Sequence, residues 1–251
     1  MAHTQYRPIR ECRSLEEFKK VFSDAVKAHY YAYNHFKDQP ILQTRGLGRN
    51  DVFLCCSDKS DEPANGVFHD WDIYSTNDPQ NCRYSSPEKD LPNAYGFQPF
   101  LALDMCHRQP PTEHLYRHHL ESFLYVLFWA ALHYHFDGTS KPYLDGAVVS
   151  WWGPTRSFSN IRYQKERLFD GRLDRMLEYY GLTPQLRDWL KPVFNLFARA
   201  FNERSCNIGK NSWDDSTMGG RLTFERFMLV SGCDAELSAW YDLPFAEQFE
   251  D

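Results

Sequence analysis

The sequence predicts a mainly α-helical domain with one small β-hairpin, and three observations support this class. Apolar residues recur at helical spacing over residues 14–37 and again in the second half of the chain. Residues 123–129 are consecutively apolar, as expected for a helix that is buried on all sides. Two short apolar runs flank a polar, turn-rich stretch at residues 57–65, which is typical of a hairpin with a long loop.

The first predicted element is a long helix over residues 14–37. Ser14 and Glu17 have the spacing of a capping box, in which a hydroxyl and a carboxylate accept hydrogen bonds from free backbone N–H groups. Pro40 blocks continuation of the helix. The inward face repeats at helical spacing and consists of Leu15, Phe18, Phe22, Ala25, His29, Tyr33 and Phe36.

The hairpin is the second predicted element. Its strands are expected at residues 51–56 and 66–70, where the short apolar runs lie. Residues 73–99 contain many Asn, Ser, Pro and Asp residues without a clear period, so they predict an extended surface segment.

A central helix is predicted over residues 121–135. Because this stretch is apolar nearly all round, we expect it in the middle of the core. Residues 160–180 then predict two or more helices, which end at Gly181 as a C-cap.

The next predicted helix opens at Thr183 and Pro184, which fit the N-cap and the first helical position. We expect a kink at Pro192 because proline lacks the N–H group of a helical hydrogen bond. The predicted inward residues are Leu186, Trp189, Val193, Phe197 and Phe201. A short last helix is expected at residues 222–230.

Length and composition predict one domain at residues 1–251, with an N-terminal extension at 1–13 and an acidic tail at 231–251. The net charge of -6 argues against general nucleic-acid binding, because phosphate contact needs a basic surface.

The first residues lack the apolar core of a secretory signal, and the longest apolar run is far shorter than the ~20 residues of a membrane helix. Seven cysteines without a C-x-x-C pair favour free thiols. We therefore expect an intracellular protein, cytoplasmic or nuclear, without membrane or nucleic-acid partners.

Three stretches, in chain order, resemble the fungal-type protein kinase family. PILQTRGLGRNDVFL, from Pro40, is similar to the catalytic loop and following strand, and GVFHDWDIY, from Gly66, is similar to the metal-binding Asp-Phe-Gly region. FLALDMC, from Phe100, with HLYRHHLESFLYVLFWAAL, from His114, resembles the end of the activation segment and the central buried helix. The resemblance implies a protein-kinase-like C-lobe. Since only 13 residues precede the first helix, we expect the N-lobe to be absent.

The candidate catalytic loop departs from the kinase pattern. Where the family has His-Arg-Asp, this chain has Gln43, Thr44 and Arg45. Phosphoryl transfer needs a carboxylate there to accept the substrate proton, and arginine stays protonated at physiological pH. His119 replaces an Asp of the family pattern Arg-His-Asp-Leu-Glu-Ser that the resemblance implies is an anchor of the catalytic loop. We therefore expect no catalytic residue and no protein-kinase activity.

Asn50 and Asp70 match the two metal-ligand positions of the family that the chain resembles. Either they keep a weak Mg²⁺ site or they hold the loop by hydrogen bonds. We favour the second alternative and expect no cofactor, with Mg²⁺ or a nucleotide as the less favoured case. Arg45 is expected near Asp70, either as an ion pair in place of the metal or as an anion pocket with Arg49. The other candidate ligand-binding residues are His69 and Asp72.

The function predicted from these residues is that of a pseudokinase lobe that acts as a binding or regulatory module. The expected partner is another protein or a second copy, bound at the face that a missing N-lobe leaves open. The alternative is a repurposed enzyme that binds an anionic small molecule in the remnant phosphate cleft. Its charged groups would be Arg45, Arg49, His69 and Asp70.

Overall fold

The structure is a computed structural model of the chain. It describes residues 5–35, 52–56, 65–68, 100–106, 115–134, 136, 158–169, 184–207, 209–210 and 212–233. The helices in this part of the chain are α1 (Leu15–His35), α2 (Tyr116–His133), α3 (Phe158–Phe169), α4 (Pro184–Asn207) and α5 (Phe224–Val230). The strands are β1 (Gln5–Pro8), β2 (Val52–Cys56) and β3 (Asn65–Phe68), and short 3-10 helices lie at Ile9–Glu11 and Leu103–Met105. Most described residues are helical, which confirms the prediction of a mainly α fold.

Helix α2 is the centre of the core. Every residue from 117 to 132 is buried, and the consecutively apolar residues 123–129 within it predicted a buried helix. Phe123 of α2 meets Phe22 of α1 edge to face, with ring centroids 5.7 Å apart, and Phe22 also contacts Trp189 of α4 at 5.4 Å. Aromatic residues of three helices therefore close the core around α2.

Helix α1 begins with a modified capping box. The Ser14 hydroxyl accepts a hydrogen bond from the Glu17 N–H at 3.0 Å, as predicted. The Glu17 carboxylate accepts from the N–H of Arg13, at 2.5 Å, where a standard capping box would use the N–H of Ser14 itself. The predicted inward residues Phe18, Phe22, Ala25 and His29 are buried, whereas Leu15 and Tyr33 are partly exposed. The predicted inward residue Phe36 and the predicted helix stop Pro40 lie outside the described residues.

A three-stranded antiparallel sheet in the order β1-β2-β3 packs beside α1. The predicted pair of strands is confirmed, since Val52 of β2 pairs with Phe68 of β3. Strand β1 lies in residues 1–13, for which the sequence predicts an N-terminal extension and no strand, but Gln5 pairs with Cys56. Its four-residue sequence, QYRP, carries little strand propensity, and the pairing with β2 determines its conformation.

Asp24 of α1 fastens the sheet to the helix. Its Oδ2 accepts hydrogen bonds from the Gly66 N–H at 3.0 Å and from Lys20 Nζ at 2.8 Å. Lys20 Nζ also donates to Asn65 Oδ1 at 2.7 Å. At Gly66 the backbone comes so close that an added Cβ would lie 2.0 Å from the carbonyl oxygen of Val21. A residue with a side chain therefore cannot occupy position 66 without moving β3 away from α1.

We expect Gly66→Ala to lower the free energy of unfolding by about 2 kcal/mol, since overpacking against backbone atoms costs about 1–3 kcal/mol. Urea denaturation checks the value. Gly209→Ala is the matched control: its φ is +83°, but no atom lies within 4 Å of an added Cβ. The free energy of unfolding of the control variant should fall by only ~1 kcal/mol, the cost of placing an alanine in the left-handed region. Equal losses in the two variants would contradict close packing at position 66.

Helix α4 begins at Pro184, as predicted, and runs past Pro192 to Asn207, so Pro192 does not end it. Of its predicted inward residues, Leu186, Trp189, Val193 and Phe197 are buried, and Phe201 is partly buried. Trp189 Nε1 donates a hydrogen bond of 2.5 Å to the Ser231 carbonyl oxygen and ties α4 to the end of α5. The predicted caps Gly181 and Thr183 lie outside the described residues.

Two further predictions concern the cysteines and the absence of a membrane-spanning helix. Cys12, Cys106, Cys206 and Cys233 are free thiols, which agrees with the prediction for these four. In the described part of the chain, no helix combines the length and the apolar character needed to cross a membrane.

Candidate functional site

Most of the predicted site residues lie outside the described residues. They are Gln43, Thr44, Arg45, Arg49, Asn50, His69, Asp70 and Asp72. Their predicted roles stay predictions. Within the described ranges, no group of three or more His, Cys, Asp or Glu side chains is arranged to hold a metal ion.

His119 is the predicted site residue that the structure describes. It lies in α2, is 1% exposed, and faces His29 of α1, with ring centroids 4.5 Å apart. The rings of Tyr33 and Tyr116 lie 5.5 and 6.1 Å from it. The position at which the kinase pattern has a carboxylate is therefore occupied by an imidazole packed among aromatic rings.

The best-defined polar site of the described residues surrounds the 100–106 segment, the stretch FLALDMC. Asp104 of this segment accepts hydrogen bonds from Arg204 Nη1 of α4, at 2.8 Å to Oδ1 and 2.9 Å to Oδ2. Arg117 Nη2 of α2 lies 2.7 Å from Asp104 Oδ2. Because Arg117 is 2% exposed, these contacts are shielded from solvent and are stronger than those of a surface ion pair.

Asp215 completes an ionic network of Asp104, Arg117, Arg204 and Asp215. Arg117 Nε donates to the Asp215 carbonyl oxygen at 2.8 Å, and Nη2 lies 3.1 Å from its carboxylate. Arg204 Nε lies 2.8 Å from the Asp215 Oδ1. Two carboxylates thus neutralise two guanidinium groups, and the network joins the 100–106 segment, α2, α4 and the loop before α5.

The loop that carries Asp215 is rigidified by its own hydrogen bonds. The Asp214 carboxylate accepts from the N–H of Ser216 at 2.9 Å and from the hydroxyl of Thr217. Gly219 has a φ of +66° and lies against the ring of Trp213, where an added Cβ would be 2.6 Å from the ring. These contacts fix the turn and hence the direction of the Asp215 side chain.

His118 and the two guanidinium groups together explain the protonation state of Asp104. Burial acts to raise its pKa, but His118, Arg117 and Arg204 together hold the pKa well below its usual range. His118 Nδ1 accepts a hydrogen bond from the Leu115 N–H at 3.1 Å, which leaves Nε2 directed toward Asp104 Oδ2 at 3.6 Å. Burial lowers the pKa of His118. Asp104 is therefore ionised beside a neutral imidazole at physiological pH.

A second cluster, the Glu121 network, lies under the same segment. Glu121 Oε1 accepts hydrogen bonds from the Leu103 N–H at 2.7 Å and from the Tyr125 hydroxyl at 2.6 Å. Lys165 of α3 donates to the Leu101 carbonyl oxygen, and its Nζ lies 4.0 Å from the centre of the Tyr125 ring. Carboxylate and ammonium thus bind backbone groups of the 100–106 segment from two helices.

Burial is the largest cause of the pKa shifts in the Glu121 network. It raises the pKa of Glu121 to about 7, against an ordinary value of 4.5, although Tyr125 and Lys165 act in the opposite direction. Burial lowers the pKa of Lys165 and raises that of the Cys106 thiol, whose Sγ lies 4.0 Å from Lys165 Nζ. A buried thiol of this kind is a poor nucleophile. The network is therefore suited to holding the segment in place.

Comparison with known proteins assigns the chain to a family. A family profile described as fungal protein kinase matches residues 3–131, just over half of the chain. The chain belongs to the fungal protein kinase family. No curated protein and no solved structure matches it significantly.

In this fungal protein kinase family member, sequence reasoning missed most residues that hold the 100–106 segment. The signal that could have found two of them is charge in an apolar helix, because Arg117 and Glu121 interrupt the hydrophobic sequence of α2. A buried charge requires a partner of opposite charge or hydrogen bonds. Their partners Asp215 and Lys165 lie 98 and 44 positions further along the chain, and nothing in one sequence identifies them.

Proposed function

We propose that this chain is a catalytically inactive, kinase-like protein, a pseudokinase, that acts as a regulatory module by binding another protein. The observation that carries the proposal is Arg45, which stands where the kinase pattern has its catalytic Asp. A guanidinium group cannot accept the proton of a substrate hydroxyl. The environment of His119 supports the same conclusion, because a buried imidazole offers the catalytic loop one acceptor where a carboxylate offers several.

We also propose that the described helices correspond to a kinase C-lobe. On this assignment, α1 precedes the catalytic loop, α2 is the central buried helix, and the 100–106 segment is the end of the activation segment. The depth at which α2 is buried and the order of these elements along the chain support it. The ionic and Glu121 networks would then preserve a rigid platform for a protein partner although the chemistry is lost.

Phosphate transfer is the first test of the proposal. We expect no transfer from ATP with Mg²⁺ to the chain itself or to a general protein substrate. Arg45→Asp should remain inactive as well, because His119 still replaces the second carboxylate of the pattern. Transfer by the unaltered chain that is abolished by Asp70→Asn would overturn the proposal.

Binding is the second test. Sedimentation measures self-association, and crosslinking in cell extract followed by mass spectrometry identifies other proteins that bind. The proposal predicts a specific protein partner that is retained in Arg45→Gln but lost when the platform is disrupted by Arg204→Ala. A thermal shift with anionic metabolites that is lost in Arg45→Ala, together with a strictly monomeric chain, would favour the anion-binding enzyme instead.

A further inference from the structure

The described chain leaves the fold at Cys233, and the end of α5 fixes its direction there. Gly232 has a φ of +65°. Its N–H donates to the Leu229 carbonyl oxygen at 3.0 Å, and the Cys233 N–H donates to that of Met228 at 2.9 Å. These hydrogen bonds, with a glycine in the left-handed region, form a Schellman motif. The point at which residues 234–251 begin is therefore determined by α5, although these residues lie outside the described ones.

This exit point lies beside α1. Trp189 Nε1 donates to the Ser231 carbonyl oxygen at 2.5 Å, and Lys19 Nζ of α1 lies 5.9 Å from the centre of the Trp189 ring. Burial raises the pKa of the Cys233 thiol, whereas Lys27 and Lys19 act to lower it, so both ammonium groups are close enough to act on the thiol electrostatically. The chain thus leaves the fold next to two positive charges of α1.

The two lysines are only weakly neutralised. Lys19 pairs at 3.3 Å with Glu16, whose side chain is 81% exposed, and solvent screens such surface pairs. Lys27 forms no ion pair within the described ranges. The carboxylate of Asp24, which lies between them in the sequence, is bonded to Lys20 at 2.8 Å. Both lysines can therefore bind carboxylates from another segment.

Apolar side chains lie close to the exit point. Leu229, one helical turn before Cys233, is 75% exposed, and Val230 and Cys233 are partly exposed. We call Lys19, Lys27, Leu229, Val230 and Cys233 the α1–α5 surface. Since covering Leu229 removes apolar area from water, a ligand that suits this surface carries both carboxylates and apolar side chains.

The chain has such a segment immediately beyond Cys233. Residues 234–251 contain six carboxylate side chains and no lysine or arginine. Asp234 and Glu236 come first, and four aromatic residues follow them. We propose that residues 234–251 bind back onto the α1–α5 surface as an intramolecular cover, with Asp234 and Glu236 at the two lysines and aromatic side chains over Leu229.

The length of the segment and its tethering favour this contact. Asp234 and Glu236 lie within ~10 Å of extended chain from Cys233. Lys19 and Lys27 are separated by ~12 Å along α1. A tethered segment has an effective concentration on the order of millimolar at a nearby surface, so contacts that are weak between separate molecules become populated. A protein that binds the α1–α5 surface has to displace the segment, and this inference does not rest on the proposed function.

The rate at which iodoacetamide alkylates Cys233, followed by mass spectrometry, tests the proposal. Lys27→Glu repels the segment and should raise this rate about fivefold. A glutamate at position 27 by itself disfavours the thiolate and slows alkylation, so a faster reaction reports exposure of Cys233. The control Lys210→Glu makes the same exchange at an exposed lysine between α4 and α5 and should leave the rate unchanged.

Salt provides the same test without a variant, should Lys27→Glu not fold. About 0.5 M NaCl screens the lysines and should accelerate alkylation of Cys233 in the unaltered chain. An alkylation rate that is unchanged or lower in Lys27→Glu, or in the unaltered chain at high salt, would contradict the intramolecular cover.

Carbodiimide crosslinking of an equal mixture of ¹⁵N-labelled and unlabelled chains identifies the occupant of the surface. The proposal requires crosslinks from Lys19 or Lys27 to Asp234 or Glu236 in which both peptides carry the same isotope. Crosslinks of mixed isotope would show that a second copy occupies the surface, and crosslinks only to carboxylates outside residues 234–251 would show that another segment does. Either result would exclude the proposal. Neither readout involves ATP or a protein partner, so failure here is separable from failure of the proposed function.

Discussion

Replacing Asp104 with asparagine is expected to lower the free energy of unfolding by about 3–5 kcal/mol, the usual cost of removing one partner from a buried ion pair. Asp104 bonds to Arg204 through both carboxylate oxygens and lies 2.7 Å from Arg117. A neutral amide leaves the buried Arg117 guanidinium with the partly exposed Asp215 as its remaining ionic partner in the described residues. The cost arises mainly from this uncompensated charge.

Guanidinium denaturation followed by tryptophan fluorescence measures the loss. The matched control is Glu203→Gln, which removes the charge from the partly exposed pair of Glu203 in α4 and Arg221 in the loop before α5. Solvent screens that pair, so its removal should change stability little. An Asp104→Asn variant that is no less stable than the control would show that the ionic network contributes nothing to the fold.

The network also sets a limit on acid stability. Since the folded-state pKa of Asp104 is depressed below its ordinary value of 3.8, its stabilising contribution is present above pH 3.8. It is lost as the pH falls toward the folded-state pKa. We therefore measure the free energy of unfolding of the unaltered chain and of Asp104→Asn in a denaturation series at pH 2–5. The difference between the two free energies should become smaller only below about pH 4.

The helices were predictable because each leaves a local pattern in the sequence. The consecutive apolar residues of α2 and the spacing of Phe18, Phe22 and Ala25 in α1 follow directly from how a helix buries one face or all faces. Strand β1 was missed because its conformation depends on pairing with residues about 50 positions away. Local propensity cannot supply that information.

The candidate site was predictable only where a residue departs from a known pattern. Arg45 and His119 were found because a specific residue was expected at each position. Asp104, Arg204 and Asp215 were missed, because a single aspartate or arginine resembles any surface charge until its partner is known. What makes them a site is contact between residues up to 100 positions apart.

The residues that hold the 100–106 segment are different from those that depart from the kinase pattern. The segment is held by charged groups from α2, α3 and α4. The departures are Arg45, which lies outside the described residues, and His119 of α2, whose ring faces His29. Neither of these two residues takes part in the contacts given above for the segment.

The contribution of Glu121 to stability depends on pH in the opposite direction from that of Asp104. Replacing Glu121 should therefore stabilise the protein at pH 8. Burial raises the pKa of Glu121 to about 7 from 4.5, so the folded chain holds this proton more tightly than the unfolded chain does. The resulting stabilisation is fully present below pH 4.5 and is lost as the pH rises through 7. A shift of this size corresponds to roughly 3 kcal/mol in total.

Glu121→Gln tests the direction of this pH dependence. The amide oxygen can still accept from the Leu103 N–H and the Tyr125 hydroxyl, but it carries no charge at any pH. We expect the variant to match the unaltered chain at pH 5 and to be more stable at pH 8, by about 3 kcal/mol. Comparing the two chains at each pH cancels the contributions of titratable groups that do not interact with Glu121. Glu203→Gln, whose carboxylate has a lowered pKa, should show no such change between pH 5 and 8. A Glu121→Gln variant less stable than the unaltered chain at pH 8 would mean that an ionised Glu121 stabilises the fold through Lys165, contrary to this prediction.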